Sequence, residues 1–256
     1  MRKVLNCFLF VLSVILISNA QPGSSIDKPT IVKIVFEVTA DVFPSSWYGG
    51  EINAKAESLS LSEQTRSAKI VKKAISKYPD KLIKSNLHKV YVFKSLEFFG
   101  VPYGGTYTTG KIYLANNGVL NNYTDEYIER GFHEEFSSIL KNNYSQFFEE
   151  DLWKTINGNG FIYNSLNGYE AIQSGHSSEG PDKEVYEKGF LTEYGMSTME
   201  NDFNSFAKQL FLPDKNFWKV TEDYEKLMKK RDLVINFYNK IDTIFTKDFF
   251  KNFSIN

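Results

Sequence analysis

The chain has 256 residues, of which 42% are hydrophobic and 16% aromatic, so it can bury a sizeable core in one or two domains. Lysine and arginine together number 30, and aspartate and glutamate 31, which gives a formal net charge of -1. This balance argues against a nucleic-acid role based on broad phosphate neutralisation, because such a role needs a basic face, but it leaves room for a local basic patch.

Residues 1–20 have the three parts of a secretory signal peptide. Arg2 and Lys3 precede an apolar run from Cys7 to Ile17, and a small-residue cleavage site ends at Ala20. The apolar run is short for a transmembrane helix, and the polar linker 21–30 that follows argues against an uncleaved anchor. We therefore expect a protein exported to the periplasm, the cell envelope or the medium, without an integral membrane span once the signal is removed.

Cysteine usage restricts the chemistry of the mature chain. Cys7 is the only cysteine, and cleavage after Ala20 removes it. The mature protein then has no disulfide and no thiolate nucleophile or metal ligand. A metal site has to use carboxylates, tyrosine, backbone oxygen or the three histidines, which are His88, His133 and His176.

The first part of the mature chain is predicted to mix strands with one helix. Strands are expected at 31–38, 88–99 and 106–114, which are rich in β-branched and aromatic residues. A capping-box pattern at Ser60 and Glu63 opens an amphipathic helix that runs to about Tyr78.

The rest of the chain is predicted to be helical, apart from the loop-rich segment 157–185. Helices are expected at 124–143, 145–156, 200–212 and 221–245. This order predicts an α+β fold with a mixed sheet in the first half, about 31–157, and a helical second half, about 158–256.

The segment 131–140, within the helix 124–143, has residues suited to metal-dependent hydrolysis. A zincin helix carries two histidines four residues apart, and a glutamate after the first acts as general base. Two registers are possible here. In one, His133 is the first ligand and Glu134 the base. In the other, Glu134 takes the ligand position and Glu135 is the base. A serine, Ser137 or Ser138, stands at the second ligand position in either case.

Helical geometry favours the second register. The apolar side of this helix is formed by Ile128, Phe132, Phe136, Ile139 and Leu140. Positions 134 and 138 lie roughly 150° from the centre of that side and are expected to face a cleft, whereas 133 and 137 lie on the flank at roughly 110°. Glu135 is nearer the core edge, where partial desolvation raises the pKa of a carboxyl. A solvated polar face without function is the competing interpretation, because the two-histidine pattern is not met.

The order and spacing of segments over residues 31–245 resembles the zinc-binding metallopeptidase family, including the substrate-import-associated zinc metallohydrolase lipoproteins. The string Glu134-Glu135-Phe136-Ser137-Ser138-Ile139-Leu140 matches the family's active-site helix. The segment 189–195, followed by Asn201-Asp202-Phe203, and the lysine-rich helix at 224–238 match its later part.

This resemblance implies a zincin-like fold with zinc as the cofactor, if any is bound. It places the first and second histidine ligands at Glu134 and Ser138, and the third ligand at Asn201. The base position, Glu135, is retained, and Tyr194 matches a tyrosine that can donate to a developing oxyanion. The metal-ligand motif is therefore degenerate, and His133, Glu134 and Glu200 are the remaining candidates for metal ligands.

Three functions follow from these observations. The leading hypothesis is a catalytically inactive zincin at the cell envelope, with a cleft that binds a peptide or protein. The second is an active metallohydrolase with rearranged, oxygen-rich ligands, which suit Mn or Ca better than Zn. The third is a carrier protein whose many aromatic residues line a carbohydrate- or peptide-binding groove.

Overall fold

The computed structural model describes residues 32–158, 160–164 and 168–254. The predicted signal peptide and linker lie outside the described residues. Within these ranges, the structure contains no helix with the length and apolar character that a membrane span requires.

Two small sheets form the strand part of the structure. The larger is mixed, because β1 and β3 and then β3 and β7 pair in parallel, whereas β6 pairs with β7 in antiparallel. Its order is β1-β3-β7-β6, and the smaller antiparallel sheet has the order β2-β4-β5. The strands are β1 (Lys33–Val35), β2 (Lys55–Glu57), β3 (Lys89–Phe93), β4 (Ser95–Phe98), β5 (Val101–Pro102), β6 (Gly105–Thr108) and β7 (Lys111–Ala115).

Helices cover one face of the larger sheet and make up the second half of the chain. They are α1 (Leu61–Ile75), α2 (Asp80–Asn86), α3 (Asp125–Asn143), α4 (Glu150–Asn157), α5 (Gly168–Gln173), α6 (Lys183–Lys188), α7 (Met199–Phe211), α8 (Phe217–Asp223), α9 (Glu225–Ile241) and α10 (Lys247–Lys251). The α+β class, the mixed sheet and the helical second half agree with the prediction.

The helix α3 lies at the centre of the main hydrophobic core, between the sheet, α1 and α7. The Thr124 hydroxyl accepts a hydrogen bond from the Tyr127 N–H at 3.2 Å and caps its first turn. The five apolar residues predicted for its core side are all buried. This central packing fixes the orientation of the polar residues on the remaining faces of α3.

Several predicted elements are divided in the structure. The run 106–114 is a hairpin of β6 and β7, because Gly110 takes a positive φ of 69° in the turn. The run 88–99 contributes β3 and β4 to different sheets. The helix predicted at 221–245 breaks at Tyr224, whose backbone is extended, and ends at Ile241.

Other predicted local features are absent or altered. The Ser60 side chain forms no cap to α1. The Glu63 carboxylate instead accepts hydrogen bonds from Arg66 and Asn116, so a longer-range contact replaces the capping box. The helix expected at 145–156 is a short 3-10 helix, Ser145–Phe147, followed by α4.

Candidate functional site

The candidate site lies where α3 faces α7 beside the strand β6. The two helices run in opposite directions, since Glu134 contacts Lys208 while Ser138 contacts Asn204. The strand β6 is at the edge of the larger sheet in the described part of the chain and packs against α3. These elements bring the polar face of α3 against one helix and one strand edge.

Glu134 forms an ion pair with a buried lysine of α7. The Lys208 Nζ atom lies 3.0 Å from Oε2 of Glu134 and 2.7 Å from Oε2 of Glu179, which belongs to the segment between α5 and α6. Burial favours the neutral amine, but the charges of Glu134 and Glu179 outweigh it and raise the pKa of Lys208. Lys208 is therefore a cation that joins two carboxylates at this site.

Glu135, the predicted general base, lies beside the backbone of β6. Gly105 makes this approach possible, because a Cβ there would stand only 2.8 Å from Oε1 of Glu135. Burial raises the pKa of Glu135 well above its ordinary value, and the charges of Glu134 and Glu200 raise it further. The carboxyl environment is therefore of the kind that the helical geometry predicted.

Glu200 lies in the first turn of α7 and reaches Tyr107 on β6. The Tyr107 hydroxyl accepts a hydrogen bond from Nδ2 of Asn142 at 3.0 Å, and the Glu200 carboxylate lies close to it. Burial and the Glu200 charge raise the pKa of Tyr107, so the phenol stays protonated and can donate to the carboxylate. Glu200 is thereby linked to β6.

Tyr194 begins a 3-10 turn, Tyr194–Met196, close to the same carboxylates. Burial, followed by the charges of Glu134 and Glu135, raises the pKa of its phenol. The structure therefore brings Glu134, Glu135, Tyr194 and Glu200 to one site. A protonated phenol near these carboxylates can donate a hydrogen bond to a bound ligand.

His133 lies on another side of α3, inside the hydrophobic core. Its ring is fully buried and stacks on Phe211 with centroids 5.0 Å apart. Its Nδ1 lies 2.9 Å from the Tyr78 hydroxyl, and its Nε2 lies 3.8 Å from Oε1 of Glu129. The flank of α3 that carries His133 is thus covered, by Tyr78 after α1 and by Phe211 of α7. The structure does not place His133 with Glu134 and Glu200.

The two serines at the alternative second-ligand positions are buried and hydrogen-bonded to one asparagine. Asn204 accepts from the Ser137 hydroxyl at 2.6 Å and donates from Nδ2 to the Ser138 hydroxyl at 2.7 Å. Ser138 is only 1% exposed, so the expectation that it faces an open cleft is wrong. The physical reason is the close approach of α7, which depends on contacts distant in sequence.

Asn201, at the position of the third ligand, also has partners within the protein. Its backbone N–H donates to the Thr198 hydroxyl at 3.0 Å, which caps α7, and its Nδ2 donates to the Ser197 hydroxyl at 2.8 Å. The side chain is therefore used at the start of α7.

Sequence reasoning missed the residues that complete the site, namely Lys208, Asn204, Glu179 and Tyr107. One signal was available, because Asn201, Asn204 and Lys208 have the spacing i, i+3, i+7 and thus share one face of a helix. The segment that carries Glu179 has no periodic pattern that indicates its position.

The residues at this site do not fit a zinc ion. Zinc sites in proteins use histidine, thiolate or carboxylate ligands, with three protein ligands at catalytic centres. The nearby histidine is in the core, and the Lys208 ammonium already neutralises Glu134. Among the described residues, no group of three or more His, Cys, Asp or Glu side chains is arranged to hold a metal ion.

A comparison with solved structures supports the fold predicted from the sequence. No protein-family model and no curated protein matches the sequence. The structure is similar to that of a "putative zinc-binding metallo-peptidase" from Bacteroides caccae ATCC 43185, with a TM-score of 0.56 over 88% of this chain and 87% of the other. The two sequences are 14% identical, so the similarity concerns the fold. The chain thus has the zincin-like metallopeptidase fold that the resemblance predicts.

Proposed function

We propose that this protein is an exported metallopeptidase-like protein without catalytic metal, and that it binds a ligand through its cleft at the cell envelope. The observation that carries this proposal is that all three ligand positions implied by the resemblance have partners within the protein. Glu134 is paired with Lys208, Ser138 with Asn204 and Asn201 with Ser197. Groups engaged in this way are poorly available to a metal.

The ligand class that we propose is an extended peptide segment. The hydrogen bond from the Ala115 N–H to the Gly104 carbonyl sets the antiparallel ladder between β6 and β7. In such a ladder the backbone groups alternate between the two edges, so those of Gly105 and Tyr107 lie on the edge away from β7. An edge strand beside a cleft can receive a peptide as an additional strand.

The side chains around this edge give the cleft its selectivity. Glu135 and Glu200 are acidic, while Tyr107 and Tyr194 offer rings with a polar tip. Such rings contact ligands over a large area and can also hydrogen-bond to them. We therefore expect basic or neutral peptides to bind better than acidic ones.

A peptide array tests this function directly. The purified protein should bind a subset of unmodified peptides from a random-sequence array and release them intact. Each bound peptide is then made in two N-methylated copies, one methylated at its odd-numbered residues and one at its even-numbered residues. Only one of the two copies should lose binding, because only one set of N–H groups faces β6. Equal binding of the two methylated copies, or no peptide binding at all, would contradict the proposal that the ligand is a peptide.

The export part of the proposal rests on residues 1–20. Expression of the full chain with its leader in a bacterium should give a protein that starts at Gln21 and fractionates outside the cytoplasm. A protein that keeps Met1 and stays in the cytoplasm would contradict export without affecting the assignment of the cleft.

An active hydrolase with rearranged ligands is the second candidate. It is favoured by the retained base position, since Glu135 is a buried carboxyl whose pKa is raised by burial and by the charges of Glu134 and Glu200, and an oxygen-rich ligand set would suit Mn or Ca. Peptide hydrolysis that disappears with chelator and with Glu135→Gln would support this candidate. Hydrolysis unchanged by both treatments would remove it.

A further inference from the structure

Lys208 is the buried cation that α7 contributes to the candidate site. The residue is only 7% exposed, and its ammonium contacts Glu134 on α3 and Glu179 on the segment between α5 and α6. A buried ammonium without partners would lose its proton, whereas two carboxylates within 3.0 Å keep it charged. The site therefore contains one fixed positive charge.

We infer that Lys208 is the resident cation of the cleft and takes over the charge-neutralising role that a metal ion has in a metallopeptidase. This inference rests on the proposed function and deepens it, because it names the group that makes a metal unnecessary. It also implies that Lys208 keeps divalent cations out of the cleft.

The charges around Lys208 show why such a cation is needed. Glu134 and Glu179 are in direct contact with it, and the Glu135 carboxyl, next to Glu134 on α3, lies beside β6 at the same site. Carboxylates this close repel one another, and the repulsion is strong where water is excluded. One ammonium beside Glu134 compensates part of this repulsion, as a metal would.

Lys208 also connects three separate parts of the chain. The contact with Glu134 joins α7 to α3, and the contact with Glu179 joins α7 to the segment before α6. The same segment is held a second time, because the Tyr194 N–H donates to the Ser178 carbonyl at 3.2 Å. Lys208 is thus a positioning residue for the side of the candidate site that carries Tyr194.

Thermal unfolding of charge variants tests the inference. Lys208→Met keeps most of the length of the side chain but removes its charge, and we expect it to lower the melting temperature by about 10 °C. Adding Glu134→Gln to this variant should restore more than half of the loss, because the unpaired carboxylate is then gone. Lys240→Met, which breaks an exposed ion pair with Glu149, is the matched control and should change the melting temperature by about 2 °C at most.

Divalent cations provide the second readout. With 1 mM MnCl2 in place of EDTA, the Lys208→Met variant should gain several degrees, whereas the wild-type protein should not respond. An equal response of the two proteins would overturn the inference. A Lys208→Met variant that melts within about 2 °C of wild type, or whose loss Glu134→Gln does not repair, would overturn it as well.

Two further cases keep the test decisive. If Lys208→Met does not fold, a folded double variant with Glu134→Gln supports the charge role, and an unfolded one overturns it in favour of packing. Peptide hydrolysis by the wild-type protein would remove the proposed function whatever the melting temperatures. A metal-free, inactive wild type with an unaffected Lys208→Met variant would remove only the present inference.

Discussion

Asn204 on α7 donates a hydrogen bond from Nδ2 to the hydroxyl of Ser138 on α3, over a distance of 2.7 Å. The resemblance assigns the second metal ligand to this serine. Because the Asn204 carbonyl also accepts from Ser137, a single side chain closes the polar face of α3 against α7. The contact replaces an open metal position with a buried hydrogen-bond network.

The first prediction concerns this network. Asn204→Ala removes a buried partner from both serine hydroxyls, although Ser137 keeps the Glu134 carbonyl as an acceptor at 2.7 Å, so the free energy of unfolding should fall by about 1–3 kcal/mol. Urea unfolding at neutral pH measures the effect. Asn236→Ala removes an exposed hydrogen bond to Glu149 and serves as the control, with an expected change of about 0.5 kcal/mol or less. Equal effects of the two substitutions would show that the network does not stabilise the fold.

The second prediction concerns the pH dependence of stability. Burial lowers the pKa of His133 to about 4, although the Glu129 carboxylate opposes this shift, and the charge of Lys77 adds to it. As the pH falls through about 6.5, the His133 imidazole therefore binds a proton in the unfolded chain but stays neutral in the folded chain. The contribution of His133 to the free energy of unfolding is complete above about pH 6.5. Up to about 3 kcal/mol of this free energy is lost as the pH falls to about 4.

Chemical unfolding between pH 4 and 7.5 measures this dependence. His133→Phe keeps a flat ring against Phe211 but cannot titrate, so its stability should change less over the interval. The neighbouring Glu129 has its pKa lowered to about 2 by its contacts with His133 and Lys77 against the effect of burial, so its contribution is lost only below about pH 4.5. An unchanged slope in His133→Phe would contradict the assignment.

The third prediction concerns the buried ion pair between α7 and α9. Lys230 donates to Asp202 at 2.6 Å, and both side chains are fully buried. Lys230→Met leaves the buried Asp202 carboxylate without its cation, with Trp153 and Tyr163 as its remaining donors, and should cost about 3–5 kcal/mol. The double variant with Asp202→Asn should recover part of this loss. If the two losses simply add in a double-mutant cycle, the pair is not coupled and the prediction is wrong.

The fourth prediction concerns the approach of Glu135 to β6. A methyl group at Gly105 would lie 2.8 Å from Oε1 of Glu135, so Gly105→Ala should displace this carboxyl and weaken peptide binding. Gly49→Ala is the matched control, because a Cβ at Gly49 meets nothing within 4 Å. The two variants are compared by measuring the affinity of each for one peptide identified on the array. Equal affinities of the two variants would show that Glu135 and β6 are not part of the peptide-binding site.

Local sequence patterns predicted the central helix and its core side correctly. The cap at Thr124 and the spacing of Phe132 and Phe136 depend on residues within one or two turns, so they could be recognised in the sequence. The α+β class followed from the order of such elements. The division of the runs 88–99 and 106–114 could not be predicted from local patterns, because it depends on strand pairing.

The site itself could be predicted only in part. The carboxyls Glu134, Glu135 and Glu200, together with Tyr194, were candidates and do lie together. The partner of Glu134 is Lys208, which is 74 residues away in sequence, and no local pattern connects them. The burial of His133 likewise depends on Phe211, at the far end of α7. Contacts between distant helices therefore decided the features that distinguish this site from a metal site.

The most direct test of the central claim is the metal content of the protein purified without chelator and without an affinity tag. Mass spectrometry should find far less than one zinc per chain, before and after incubation with zinc, because Lys208 and Asn204 occupy the groups that a metal would need. About one tightly bound zinc per chain would contradict the account and would identify this cleft as a working metal site.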